Sequence, residues 1–277
     1  MTEPITTPPV DLEAVKRKQQ ATWASGDYSA VAALIPIISE DLCNAADLRA
    51  GSRVLDVAGG SGNTALAAAR LFCDVVSLDY VPSLLERGRA RAAAERLPVR
   101  FVEGDAEALP FEDASFDAVI SVLGVMFAPD HERAAAELVR VCRPGGTIAL
   151  ASWTPQGFIG GLLKTVGKHV PPPAGVRPPT LWGDEDHLGV LLGADVDDMR
   201  TERRTYTFRY RSPEHFVDFF EAYYGPTHKA FAALDDQGRT ALRADIVDLA
   251  RRYDRLGDGT AVAITAEYLQ AIGTRAT

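Results

Sequence analysis

The sequence predicts an α/β fold built around a parallel sheet. From Gly51 onward, short and almost wholly apolar segments alternate with helical patterns, and three glycines follow the first of these segments. Continuous apolar strands between helices are typical of a parallel sheet that is covered on both faces. The 277 residues are enough for one or two domains that bury a core without disulfides or metal.

Helices precede the alternating part of the chain, and five strands lie within it. Residues 1–10 are rich in Thr and Pro and indicate a loose tail, whereas residues 11–50 read as helices. Further helices are expected from the glycine turn to about Leu71, at 82–95 and at 131–142, with a turn at 143–146. The five predicted strands are 53–57, 74–79, 99–105, 116–122 and 147–153.

The C-terminal part has a different pattern. Several prolines predict a linker or the base of a lid at 154–183, and a short helix is expected at 184–192. Residues 199–211 alternate as an exposed or antiparallel strand does, and 213–257 read as helical. The β-branched segment 261–269 predicts a last strand.

Charge and cysteine content narrow the classes of function. With 29 Lys+Arg against 38 Asp+Glu, the net charge of −9 argues against a nucleic acid partner, because neutralising phosphates needs clustered basic residues. The three widely spaced cysteines predict neither a disulfide framework nor a metal site, which favours a reducing, cytoplasmic location. No apolar stretch approaches the ~20 residues of a membrane span, so we expect no membrane partner.

The segment VLDVAGGSGNTALAAA (54–69) carries the chemical information. A strand ends, glycines turn the chain, and a helix begins whose unpaired N–H groups suit an anionic or carboxylate group. Asp79 ends the next predicted strand, where a carboxylate can accept hydrogen bonds from a ribose diol. Asp56 and Asp105 add two more acids that we expect at the same edge of the sheet.

The glycine turn is also compatible with a dinucleotide. Residues 60–65 fit the pattern G-x-G-x-x-G/A, so an NAD(P)-dependent oxidoreductase is an alternative. The three acids make that alternative less favourable because they would repel a diphosphate, and no tyrosine stands four residues before a lysine. A non-catalytic partner protein that binds the cofactor is a second alternative.

The stretch from Val54 to Ser152 resembles the class I S-adenosylmethionine-dependent methyltransferases, in particular the type 11 small-molecule group. The matching pieces are LDVAGGSGN, VVSLDYVPSLL, FVEGDAEALPFEDASFDAVIS and AAAELVRVCRPGGTIAL. The resemblance implies a Rossmann-like, doubly wound, seven-stranded sheet whose last strand is antiparallel. It also implies S-adenosyl-L-methionine as cofactor, S-adenosyl-L-homocysteine as product, and a small-molecule acceptor.

The resemblance further implies the residues that hold this cofactor. Its methionine end would meet Asp56 and the backbone of 58–60, its ribose Asp79, and its adenine Tyr80 and Asp105. The residues implied in total are Asp56, Ala58, Gly59, Gly60, Asp79, Tyr80, Asp105, Ala106, Ser121 and Val122, with Trp23 and Tyr28 as further candidates from the N-terminal segment.

Methyl transfer needs few catalytic groups, because the cofactor carries the reactive methyl group. A base is required only where the acceptor must lose a proton, and His131, His215 and His228 are the candidates. His131 follows Asp130 at a predicted helix start, where a structural role is favoured. Enzymes that methylate base amino groups carry an Asn/Asp-Pro-Pro-aromatic motif where this chain has SVLGVMF (121–127), so a nucleic acid substrate is disfavoured.

An aromatic stripe in the helix at 213–225 suggests a hydrophobic acceptor. We expect this stripe to roof the acceptor pocket, with the candidate residues Trp153, Phe158, Trp182, Phe216, Phe219 and Tyr223. The expected parts of the chain are an N-terminal tail and helical segment (1–50), the cofactor-binding core (51–153), a substrate lid and helical insertion with an edge strand (154–257) and a final strand (258–277). Monomer and homodimer are both open.

Overall fold

A seven-stranded sheet forms the centre of the molecule, which is represented by a computed structural model that describes residues 11–258 and 261–277. The strands lie in the order β3-β2-β1-β4-β5-β7-β6. Strands β1 to β5 are parallel, whereas β7 is antiparallel to both β5 and β6. The predicted fold, with an antiparallel last strand, is confirmed. The bounds are β1 (Arg53–Val57), β2 (Asp74–Asp79), β3 (Val99–Glu103), β4 (Phe116–Val122), β5 (Cys142–Trp153), β6 (Val196–Tyr210) and β7 (Val262–Arg275).

Helices cover both faces of the sheet and extend over its C-terminal edge. Two short 3₁₀ turns, Val125–Phe127 and Pro179–Gly183, follow β4 and precede α8. The α-helices are α1 (Leu12–Trp23), α2 (Tyr28–Ala32), α3 (Pro36–Ala45), α4 (Asn63–Arg70), α5 (Pro82–Glu95), α6 (His131–Val141), α7 (Phe158–His169), α8 (Glu185–Leu192), α9 (Pro213–Tyr223), α10 (Gly225–Ala232) and α11 (Asp236–Tyr253).

The strand order places a crevice beside β1. Strand β1 pairs with β2 on one side and β4 on the other, so the chain reverses its direction of winding there. The connections that follow β1 and β4 run to opposite faces of the sheet. This opens a crevice between the carboxyl ends of the two strands, where ligands bind in folds of this kind. The apolar runs that predicted these strands are buried: Val54, Leu55 and Val57 are fully shielded from solvent.

Two expectations about local structure were wrong. The region predicted as a linker contains helix α7, because the prolines of 171–173 lie beyond its end and its apolar residues at 158, 159 and 162 pack into the core. Residues 143–146 are not a separate turn but belong to β5, where the pairing with β4 shifts register between Phe116 and Ala118. The predicted tail at 1–10 lies outside the described residues.

The region 154–257 contributes to the body of the fold. Strand β6 forms the sheet edge, and helices α7 and α11 pack against each other and against β7. Helix α9 and the start of α10 instead contact the N-terminal segment: Asp27 N–H donates to Tyr223 O at 3.2 Å. None of the helices within 11–258 and 261–277 is both long and apolar enough to cross a membrane.

Candidate active site

A buried carboxylate supports the glycine turn from below. Asp56 Oδ2 accepts hydrogen bonds from Ala65 N–H and Ser77 Oγ, both at 3.1 Å. A side chain on Gly59 would place its Cβ 2.3 Å from both Asp56 Oδ2 and Ser77 Oγ, so only glycine fits there. Burial raises the pKa of Asp56 to about 7. This carboxylate is completely buried behind the turn and does not line the cleft, so its contact with a cofactor stays a prediction.

Asp79 fixes the same turn from the end of β2. Its Oδ2 accepts from Gly60 N–H and its Oδ1 from Val81 N–H, both at 2.9 Å. Burial raises the pKa of Asp79 to about 6, although three backbone hydrogen bonds oppose this. A carboxylate has about four acceptor positions, so two backbone donors leave capacity for a diol on the open side.

A cleft of about 950 Å³ of non-atom space, partly open to solvent, lies above the carboxyl ends of β1 to β4. It brings together most of the residues implied by the sequence resemblance, which come from four strand ends and from the N-terminal segment. These are Ala58, Gly59, Gly60, Asp79, Tyr80, Asp105, Ala106 and Val122, together with Trp23 and Tyr28.

Ser121 does not line this cleft. Its hydroxyl donates to Val57 O at 2.7 Å and accepts from Val125 N–H at 2.9 Å, which ties β4 to β1 and to the following 3₁₀ turn. Both hydrogen bonds are buried, so Ser121 has a structural role here and its place beside the cofactor stays a prediction. Its neighbour Val122, at the end of β4, does line the cleft.

Helix α1 adds residues that the sequence reasoning missed. Lys16 Nζ lies 2.7 Å from Asp105 Oδ2 and 2.7 Å from Glu107 Oε2, and both Lys16 and Glu107 line the cleft. Gln19 also lines it, and its buried side-chain oxygen has no hydrogen-bond partner among the described residues. The sequence did contain one indication that α1 lines the cleft, because polar residues lie on the buried face of this helix.

Four rings meet where the N-terminal segment crosses the cleft, and we call them the aromatic junction: Trp23, Tyr28, Phe127 and Tyr224. The Trp23 ring centroid lies 5.3 Å from that of Tyr28, 4.8 Å from that of Phe127 and 5.5 Å from that of Tyr224. These are typical distances for edge-to-face aromatic contacts. The junction therefore forms a packed wall rather than four independent side chains.

Behind this junction lies a second, much smaller cavity, which we call the inner chamber; its empty volume of about 290 Å³ includes space open to solvent. It shares Tyr28, Ile35 and Phe127 with the cleft, so the two cavities adjoin. The lining side chains are apolar or aromatic, with hydroxyl groups on the two tyrosines. They are Tyr28, Val31, Ile35, Phe127, Trp153, Ile159, Phe208, Phe220 and Tyr224.

The six predicted acceptor residues separate in the structure. Trp153 lines the inner chamber. Phe158, Trp182 and Phe216 are fully buried in the core and line neither cavity, so nothing in the structure supports their predicted contact with substrate. Phe220 of α9 lines the chamber, whereas Phe219 and Tyr223 line neither cavity, so their contact with substrate also lacks support from the structure.

The three candidate histidines lie away from both cavities. His131 is buried with Nδ1 3.0 Å from His187 Nε2, and burial lowers its pKa to about 4. His215 Nδ1 accepts from Arg211 N–H at 3.3 Å, and His228 Nδ1 lies 3.0 Å from Glu221 O. None of the three lines the cleft or the chamber, so the structure gives no support to a histidine base.

A sheet of this order, with a glycine turn at the crevice and acids near the carboxyl ends of β1, β2 and β3, defines a class I S-adenosylmethionine-dependent methyltransferase. Residues 55–150 match the family model described as a methyltransferase domain, and the chain belongs to this family. It is 44% identical, over 92% of its length and 94% of the relative, to an uncharacterized protein of Mycobacterium tuberculosis.

Better-defined relatives match over shorter stretches or at lower identity. The demethylmenaquinone methyltransferase of Deinococcus radiodurans is 39% identical over 44% of this chain and 53% of its own length. The YcgJ protein of Bacillus subtilis superposes with a TM-score of 0.57 at 19% identity, over 86% of this chain and 98% of that one. A geranyl diphosphate methyltransferase gives a TM-score of 0.51 at 17% identity, over 87% and 85%. The similarity to the last two proteins shows that they share the fold of this chain.

Proposed function

We propose that this protein transfers the methyl group of S-adenosylmethionine to a small, apolar acceptor. The observation that carries the proposal is that two cavities of different character adjoin. The cleft bears Asp79 and Asp105 at its polar side and adjoins the aromatic inner chamber through Tyr28, Ile35 and Phe127. A polar site for the cofactor next to an apolar site is the arrangement that methylation of an apolar molecule requires.

The residues of the cleft fit the cofactor. The Asp79 carboxylate suits the ribose hydroxyls, Asp105 suits the adenine amino group, and the glycine turn leaves room for the methionine end. Gln19 offers a buried oxygen that has no partner among the described residues, and it lines the same cleft. When bound, S-adenosylmethionine supplies a methyl group on a positively charged sulfur and leaves as a neutral thioether.

The contribution of the chain is to orient the reactants and to exclude water. An in-line displacement requires the acceptor atom within about 3 Å of the methyl carbon, and orientation of this kind is worth roughly 7–11 kcal/mol. The aromatic junction closes the wall between the two cavities. Burial raises the pKa of Tyr28 to about 12 and that of Tyr224 above its usual range, so both hydroxyls stay protonated at neutral pH and can donate hydrogen bonds to the acceptor.

The lining of the inner chamber supports the apolar nature of the acceptor. Rings from β5, β6 and α9 surround a space in which a polar molecule would lose its hydrogen bonds to water. Two similar proteins are named as methyltransferases of demethylmenaquinone and of geranyl diphosphate, which is consistent with a small-molecule acceptor.

Calorimetric titrations with S-adenosylmethionine, S-adenosylhomocysteine and NADPH test the cofactor. We expect both adenosyl ligands to bind and the Asp79→Asn variant to bind them about 10- to 100-fold more weakly, because an amide cannot accept both backbone N–H groups and the diol. Asp74→Asn, at the exposed opposite end of β2, is the matched control and should leave affinity unchanged. Binding of NADPH instead would identify an oxidoreductase and refute the proposal.

Transfer itself is tested with a panel of acceptors. With radiolabelled methyl groups, phenols and quinols should become labelled, whereas amino acids and nucleosides should not. Trp153→Ala enlarges the inner chamber and should change the preference within the apolar set. Tight binding of the adenosyl ligands with no transfer to any acceptor class would instead favour the non-catalytic alternative.

A further inference from the structure

One face of helix α1 forms the roof of the cleft. Lys16, Gln19 and Trp23 recur at the spacing that places side chains along one side of a helix, and all three line the cleft. The face therefore carries a cation, an amide and an indole in place of the usual apolar stripe. A helix with such a face covers a polar ligand better than it covers a core.

Lys16 joins this roof to the opposite wall. Its Nζ lies 2.7 Å from Asp105 Oδ2 and 2.7 Å from Glu107 Oε2, residues that are about 90 positions away in the connection between β3 and β4. Lys16 and Glu107 are buried, with side-chain exposures of 11% and 3%. Burial alone would lower the pKa of Lys16, but hydrogen bonds to the two carboxylates outweigh it and raise the pKa, so the amine is charged.

The two carboxylates are held in place by their own loop. Asp105 Oδ1 accepts from Glu107 N–H at 2.9 Å, and Glu107 Oε1 accepts from Asp130 N–H at 2.8 Å. Asp105 and Glu107 are thus held in place without α1. When the ion pair breaks, Lys16 is therefore the group that moves away. Glu13, on the same helix, approaches Lys16 at 3.3 Å and is exposed, so it stays with Lys16 when the helix moves.

Other contacts of the N-terminal segment also hold α1 in place. Gln20 Nε2 donates to Tyr80 O at 2.5 Å, and Asp27 pairs with Arg87 of α5 at 2.7 Å. Trp23 rests on Phe127 and Tyr224 at the far end of the helix. These contacts hold α1 across a cleft that is partly open to solvent, so movement of α1 away from them would widen the route to the bottom of the cleft.

We propose that Lys16 is a positioning residue that fastens α1 over the cofactor cleft and thereby sets the rates of cofactor uptake and release. The inference rests on the proposed function. On this proposal the ion pair separates when α1 moves to admit a ligand and re-forms behind it, so it slows both directions of exchange. Because the pair is intact with the cleft empty and re-forms over the ligand, it changes the equilibrium affinity far less than the rates.

Stopped-flow tryptophan fluorescence with S-adenosylhomocysteine tests this directly, since Trp23 lies in the cleft. For Lys16→Met we expect association and dissociation both to accelerate by about tenfold or more, the effect of one charge-assisted contact, while Kd changes less than threefold. Lys18→Met, an exposed lysine on the same helix, is the matched control and should leave both rates unchanged. Lys16→Arg, which keeps the charge, should restore slow exchange.

Two results would overturn the proposal. A tenfold loss of affinity with an unchanged association rate would make Lys16 a group that holds the bound ligand, and unchanged rates would make its ion pair merely structural. Amide hydrogen exchange of α1 provides a readout that needs no ligand: it should accelerate about tenfold in Lys16→Met relative to Lys18→Met. If the adenosyl ligands fail to bind, the proposed function fails, and hydrogen exchange still decides whether Lys16 fastens the helix.

Discussion

Replacing Asp56 by asparagine tests the buried carboxylate beneath the glycine turn. Burial raises its pKa from 3.8 to about 7. Between these two pH values the folded protein holds a proton that the unfolded chain has lost, so this group stabilises the fold at low pH and its contribution is lost as pH rises toward 7. At 1.36 kcal/mol per pKa unit, the loss between pH 4.5 and pH 8 amounts to about 3 kcal/mol.

Urea unfolding at pH 4.5, 6, 7 and 8 measures this effect. Other titrating groups contribute equally to both proteins, so the quantity of interest is the free energy of unfolding of Asp56→Asn minus that of the unmodified chain. We expect this difference to increase by about 3 kcal/mol across the range. Asp74→Asn, exposed on the next strand, should show a flat difference. A flat difference for Asp56→Asn as well would refute the reasoning, because the buried acid would then titrate as it does in the unfolded chain.

Three further predictions concern the turn, the core and Asp79. Gly59→Ala places a Cβ 2.3 Å from buried oxygens and should lower stability by about 1–3 kcal/mol and weaken S-adenosylhomocysteine binding in calorimetry, whereas Gly189→Ala, with nothing within 4 Å, should do neither. Phe216→Ala should lower the free energy of unfolding in urea by about 3–5 kcal/mol, yet change the Kd for S-adenosylhomocysteine less than threefold. A large loss of affinity would instead show that this ring contributes to the binding site. Because the pKa of Asp79 is about 6, calorimetry should show affinity at pH 5 about tenfold below that at pH 7.5, with no such slope in Asp79→Asn.

The parallel part of the sheet could be predicted because its signal is local. Apolar runs at 53–57, 74–79 and 116–122 are buried on both faces, and the described strands have these same bounds. Helix α7 was missed because prolines beyond its C-terminus outweighed its own apolar spacing. The irregular part of β5 could not be foreseen, since its extra residues are accommodated only through pairing with β4.

Predicted site residues that end a strand line the cleft, whereas those one position earlier do not. Asp79 and Val122 are the last residues of β2 and β4, and both line the cleft. Asp56 and Ser121 each stand one residue before the end of β1 and β4, and neither reaches it. Successive side chains of a strand point to opposite faces, so an offset of one residue moves a polar group from the cleft into the supporting layer.

Lys16 illustrates a limit of a different kind. Its partners Asp105 and Glu107 lie far along the chain, and a pair at that separation leaves no trace in local periodicity. The available indication was the composition of one helix face: Lys16, Gln19 and Trp23 replace the apolar residues that a helix on a core would carry. A buried lysine is costly unless a carboxylate faces it, so such a face requires acids on whatever it covers. Asp105 was predicted for the cofactor alone, and its second role as a partner of Lys16 follows only once α1 is placed above it.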